Sequence, residues 1–117
     1  MTMEYISGAQ RATLQSMGLP NDNGFMKDFL GSNDKSTPLT CGFFRMEKGD
    51  PLTYKYGFDE MKLVVEGEVI VTDESGQSKK GMPGDIFYFS SGSEITFSSA
   101  SCATIFYCAL REMISSV

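Results

Sequence analysis

Histidine is absent from all 117 residues. That removes an imidazole general base, a Ser–His or Cys–His nucleophile pair, and the commonest transition-metal ligand. Any chemistry then falls to Tyr, Glu, Asp, Lys, Arg or Cys. Basic charge is scarce as well: 10 Lys and Arg against 15 Asp and Glu leave a net charge of −5. A nucleic-acid partner or an anionic membrane surface lacks its electrostatic footprint. Lys79-Lys80 is the only adjacent basic pair and reads as a solvated hairpin flank. No apolar run approaches the ~20 residues of a membrane span, so no membrane partner is expected. Met1-Thr2-Met3-Glu4-Tyr5 has no basic n-region and no apolar h-region, so no secretory signal is expected. Cysteine is limited to Cys41, Cys102 and Cys108, with no CxxC spacing. Reduced, buried thiols in a cytoplasmic protein are the expectation.

What is present is ordinary globular chemistry, 41% hydrophobic and 21% charged, at a length that suits one domain. Residues 1–38 read as an N-terminal arm and loop. Within it Ser7 to Met17 is a short helix or a loosely ordered arm, broken by Gly18-Leu19-Pro20 and Asn21-Asp22-Asn23-Gly24. Phe25 to Leu30 is either a helical turn or an edge strand, and Gly31 to Pro38 has loop composition.

From Leu39 the pattern is β, and residues 39–117 are expected to form the folded barrel. Strands are expected at Leu39–Met46, Thr53–Tyr56, Glu60–Val65, Glu68–Thr72, Ile86–Phe89, Glu94–Ser98 and Ala103–Arg111, with a brief return strand after Asp73-Glu74-Ser75-Gly76. Short strands between Gly/Pro/Asp turns argue for an all-β sandwich or barrel.

The glycines of this pattern carry a resemblance. Gly49 is followed by four residues, Tyr54-Lys55-Tyr56, three residues, Glu60, six residues and Gly67. Gly84 is followed by five residues, Ser90-Ser91-Gly92, two residues and Ile95. This spacing resembles the two motifs of the cupin superfamily, and Asp59-Glu60 leading into Val64-Val65-Glu66-Gly67 resembles the EutQ-type cupins more narrowly, over about residues 39–111. The resemblance implies a single small jelly-roll β-barrel and a homodimer. In such barrels the motif histidines hold a metal. Here both first-motif histidines are tyrosines and the second-motif histidine is isoleucine, so no metal and no cofactor are expected. The EutQ likeness also raises a phosphotransfer-linked role, against which the chain has no GxxxxGK[ST] loop and no Gly-rich nucleotide fingerprint.

Alternate residues of a strand share a face, so Glu60, Lys62 and Val64 point together. Glu60 at a ligand position implies an inward face, which brings Lys62 inside with it, alongside Tyr54 and Tyr56. Ile95 takes the third ligand position, Phe97 shares its parity, and Phe87 and Phe89 share a face of their strand. Phe43 is a further candidate wall residue. Arg45 is either a surface residue or an anion clamp, because the inward face of Leu39–Met46 is open. The expected site is therefore an aromatic chamber with Tyr54, Tyr56, Glu60 and Lys62 as its catalytic set, and Arg45, Phe43, Phe87, Phe89, Ile95 and Phe97 around the ligand. Each aromatic serves equally well as core filling, and Glu60–Lys62 as a structural ion pair. Two functions follow. One is a metal-independent isomerase, cyclase or lyase that moves a proton on a small, partly apolar molecule. The other is a module that binds a small molecule without chemistry.

Overall fold

The computed structural model describes residues 2–114. After a 3-10 turn at Ala9–Arg11, the chain forms ten strands. These are β1 (Gln15–Ser16), β2 (Gly24–Gly31), β3 (Thr40–Glu47), β4 (Leu52–Lys55), β5 (Glu60–Gly67), β6 (Val69–Thr72), β7 (Ser78–Gly81), β8 (Ile86–Phe89), β9 (Glu94–Ser98) and β10 (Cys102–Ala109). A six-stranded antiparallel sheet runs β1-β2-β3-β10-β5-β8, and a four-stranded sheet runs β4-β9-β6-β7. Short strands rich in Val, Ile, Phe, Tyr and Thr, broken by turn residues, build this all-β jelly roll as expected.

Period-two burial decides what faces the interior. On β3 Thr40, Gly42, Phe44 and Met46 are buried while Cys41, Phe43, Arg45 and Glu47 are only half-buried. On β5 the buried set is Glu60, Lys62 and Val64, with Met61 exposed. From the smaller sheet Val69, Val71, Ile95 and Phe97 close the core. Edge-to-face ring pairs lock the two sheets together, Phe44–Phe97 at 5.5 Å and Phe89–Phe97 at 5.7 Å.

The sheet starts earlier than the arm-and-barrel division of the chain supposes. β2 pairs with β3 from Gly24↔Met46 to Gly31↔Thr40, so a segment assigned to the arm is an inner member of the larger sheet. Its lone charges and bulge hid its strand period: Phe29 is an extra residue between Asp28↔Gly42 and Leu30↔Cys41. No α-helix forms at Ser7–Met17; Gly8 in the left-handed region leads into a single 3-10 turn, and Gln15–Ser16 pairs with β2. The cysteines are free but half-buried rather than buried, since all three lie on outward positions.

Two glycines are required by close approach. Gly67 has φ +73°, and a Cβ there would meet the Cys102 carbonyl. A Cβ on Gly42 would meet the Lys27 carbonyl and the Tyr107 hydroxyl, so its bare backbone makes room for that phenol. Among the described residues no helix is long and apolar enough to cross a membrane.

Candidate functional site

Between the sheets a cavity of about 60 Å³ opens to solvent past Met17, Leu52, Tyr54 and Phe58. Its buried side is formed by Glu60, Lys62, Phe97 and Tyr107, with Phe44 and Arg111 alongside.

Glu60 and Lys62 arrive from the same inward face of β5. The Lys62 ammonium lies 3.1 Å from Glu60 Oε2, and both side chains are under a tenth exposed. Tyr56, just past the end of β4, donates its hydroxyl to the same oxygen at 2.6 Å. Glu60 Oε1 receives no hydrogen bond from the described residues. Around Lys62 stand three rings, Phe44 at 4.8 Å, Tyr107 at 4.9 Å and Phe97 at 5.5 Å, each attracting the cation through its π face. Burial dominates the lysine's acidity. It drives the Lys62 value below the ordinary one, more than the Glu60 charge and hydrogen bond restore. Tyr56 moves the other way, for burial and the adjacent carboxylate both penalise a phenolate, so it stays a proton donor.

A second polar group abuts the first. Asp28, wholly buried on β2, receives the Tyr107 hydroxyl at 2.6 Å and both terminal nitrogens of Arg111, at 2.7 and 2.8 Å. The Ile114 N–H adds a bond at 2.9 Å. Burial alone would raise the Asp28 value, but the Arg111, Ile114 and Tyr107 hydrogen bonds together outweigh it and hold the carboxyl below the usual range. Tyr107 is pushed up, first by burial and then by Asp28. The Arg111 guanidinium lies 5.4 Å from the Phe58 ring and 5.8 Å from Tyr107.

Of the sequence-derived site, Tyr54, Tyr56, Glu60, Lys62 and Phe97 line or abut this one cavity. Tyr54 is 40% exposed at the mouth, its ring 4.8 Å from Tyr56. Three residues with the right inward parity sit elsewhere along the barrel. Ile95, Phe87 and Phe89 line a separate depression near Asp73 and Glu74, and Phe89 backs Tyr56 with a stacked ring at 5.3 Å. Parity fixes the face of a strand but not the depth along it. Phe43 and Arg45 lie outside the barrel altogether. Phe43 packs on Phe29 and Phe106, and Arg45 pairs with Glu47 at 2.8 Å on the surface. Even-numbered residues of β3 face inward, so Phe44 takes the wall position that Phe43 was expected to hold.

The reading of the chain missed Asp28, Phe44, Phe58, Tyr107 and Arg111. Two signals were there: a lone aspartate inside the apolar run Phe25–Leu30, and a lone arginine closing the apolar run Ala103–Leu110. Only the fold joins them, across 83 residues.

The donor set does not fit a metal ion. Tyr54, Tyr56 and Ile95 stand where imidazoles would be needed. Glu60 is already met by an ammonium and a phenol, and among the described residues no three His, Cys, Asp or Glu converge.

Comparison with known proteins agrees with this architecture. The family model described as ethanolamine utilisation protein EutQ matches residues 6–112. No curated protein matches significantly. Among solved structures, the chain is similar to a putative ethanolamine utilization protein Q from Salmonella typhimurium, with 25% identity, a TM-score of 0.65, and coverage of 74% of this chain and 68% of that one. It is also similar in fold to the polyketide cyclase RemF from Streptomyces resistomycificus, with 12% identity, a TM-score of 0.77, and coverage of 95% and 82%. KdgF from Halomonas sp. shares the fold at 16% identity, with a TM-score of 0.71 and 96% of each chain covered.

Proposed function

This chain belongs to the EutQ family of cupins, and on that premise we propose that it is a metal-independent enzyme that moves a proton on a small, partly apolar molecule. The single observation that carries this reading is the buried line Tyr56–Glu60–Lys62 on the cavity wall, closed on Oε2 and leaving Oε1 without a hydrogen bond from the described residues. Glu60 Oε1 takes a proton from a carbon next to a carbonyl. The enolate oxygen so formed is met by the Lys62 ammonium, and Glu60 returns the proton to the same or a neighbouring carbon. Positioned acid–base groups of this kind contribute about 10²–10⁴-fold in rate. Tyr56 holds the carboxylate in place and keeps its own proton throughout. A polyketide cyclase shares the fold, which supports such chemistry on a cupin frame.

The test is exchange of carbon-bound hydrogen for deuterium in D2O. Small carbon acids with apolar bodies are followed by mass spectrometry with the parent protein and Glu60→Gln. Exchange that depends on Glu60 supports the reading; equal exchange with both proteins contradicts it. The second reading, a binding module without chemistry, is favoured by the self-contained Glu60–Lys62 ion pair. It requires saturable binding that ignores Glu60 and no exchange in any acid tested.

A second copy of the chain is the partner we propose for the outer edge of the larger sheet, where Met61, Ile86 and Tyr88 are 61%, 77% and 57% exposed. Light scattering should give a dimer mass that falls to the monomer in Ile86→Lys; a monomer at every concentration contradicts it. Three free thiols suit a reducing, cytoplasmic setting.

A further inference from the structure

A guanidinium carries five N–H donors in a rigid plane. In Arg111 three of them are occupied. Asp28 takes one from each terminal nitrogen, and the Glu112 carbonyl takes the second from Nη1 at 3.1 Å. The Nε–H and the remaining Nη2–H point the same way and complete no hydrogen bond among the described residues, with the Tyr107 hydroxyl close by. Tyr107 and Phe58 approach the group, and the Asp28 grip fixes its plane, so this fork is held rigid. Arg111 also lines the cavity.

From this geometry we infer that Arg111 anchors the ligand through its free Nε–H/Nη2–H edge, and that the ligand is a small organic carboxylate. Two parallel donors match the two oxygens of a carboxylate. Beyond the Tyr56–Glu60–Lys62 line, where the Lys62 ammonium offsets the Glu60 charge, the remaining wall is largely apolar. Leu52, Phe58 and Met26 offer apolar contact, and the space of about 60 Å³ favours a compact body. Asp28 does not repel the anion directly, because it is sealed behind the guanidinium with no exposed side-chain surface. Lys62, close enough to Arg111 for their charges to interact, adds a second cation to the same chamber. Asp28 is the positioning residue of this anchor.

The inference rests on the cavity being a small-molecule site, as proposed above, but its test is separate from proton transfer. Arginine Nε–H resonances of the intact 15N-labelled protein are followed while acetate, butyrate, butan-1-ol or inorganic phosphate is added. The Arg111 Nε–H should shift saturably with butyrate and acetate and stay still with butan-1-ol. Arg111→Lys, which keeps the charge and loses the fork, should weaken butyrate binding at least tenfold, whereas Arg45→Lys on the outer surface should retain it. The wild-type resonance gives the answer even if the Arg111 variant fails to fold. A resonance unmoved by either carboxylate, moved equally by the alcohol, or saturated more tightly by phosphate overturns the inference. So does butyrate binding that Arg111→Lys leaves unchanged. Butyrate binding at Arg111 without Glu60-dependent deuterium exchange leaves the anchor standing and removes the enzyme. Glu60-dependent exchange without carboxylate binding does the reverse.

Discussion

The two walls of the barrel interior are built from different chemistry. The inner face of the six-stranded sheet carries Asp28, Glu60, Lys62 and Tyr107, and the chain leaving β10 adds Arg111. The inner face of the four-stranded sheet is apolar where it is buried, with Val69, Val71, Ile95 and Phe97. Each buried charge on the first wall has a partner on that same wall: Glu60 with Lys62 from one strand, Asp28 with Arg111 across the sheet edge. The second wall contributes rings and methyl groups that exclude water and lower the local dielectric. Ion pairs gain strength there, and single charges become costly. One wall carries the charges; the other seals them in.

If that division is right, damage should be greatest where a partner is removed from the charged wall. Asp28→Leu leaves Arg111 and the Tyr107 hydroxyl unmatched and should cost about 3–5 kcal/mol in urea denaturation. A loss under about 1 kcal/mol would mean that the guanidinium finds water instead. Lys62→Met strands Glu60, which still keeps the Tyr56 hydrogen bond, and should cost roughly 3 kcal/mol. Adding Glu60→Leu to that variant should recover most of the loss, since an apolar pair of similar volume replaces a buried ion pair at little cost. If the double variant is as unstable as the single one, the penalty is one of packing and not of charge.

Stability against pH should sharpen the picture further. Asp28 sits below its ordinary 3.8, so its contribution is complete above that pH and is lost as pH falls below it. Tyr56 and Tyr107 lie above their ordinary 10.0, so their contributions hold below pH 10 and drain away as pH climbs past it. Lys62 lies below 10.5, and its contribution grows as pH rises towards that value. In an ultraviolet titration of the five tyrosines, two should resist ionisation until the protein unfolds. Five ionising together near pH 10 would contradict the closed network. The smallest effect belongs outside the barrel. Arg45→Ala removes a surface pair with Glu47 and should change stability by no more than about 0.5 kcal/mol.

How much of this was legible beforehand divides along physical lines. Strand periodicity and the glycine spacing of the two motifs were enough for the fold and for the inward face of β5, because a period of two leaves one choice of face once Glu60 points in. The same rule left β3 ambiguous. Thr40, Gly42, Phe44 and Met46 look no more interior than Cys41, Phe43, Arg45 and Glu47 until β10 and β2 flank them. Phe87, Phe89 and Ile95 were assigned the correct side but the wrong end, since no local pattern encodes depth along a barrel. Arg45, open between a surface residue and an anion clamp, is the surface residue, and the anchor we propose at Arg111 depends for its orientation on Asp28, in a segment read as an arm. A lone aspartate and a lone arginine mark the two ends of that contact, but nothing in local sequence joins them across 83 residues.

Neutron diffraction from deuterated crystals tests the division of the two walls most directly, because it locates the protons of the inner network. The expected map has a deuteron on the Tyr56 oxygen directed at Glu60 Oε2, and Arg111 with its Nε deuteron facing the cavity. A Glu60 side chain turned out to bulk solvent, with Tyr56 bonded elsewhere, would contradict the account.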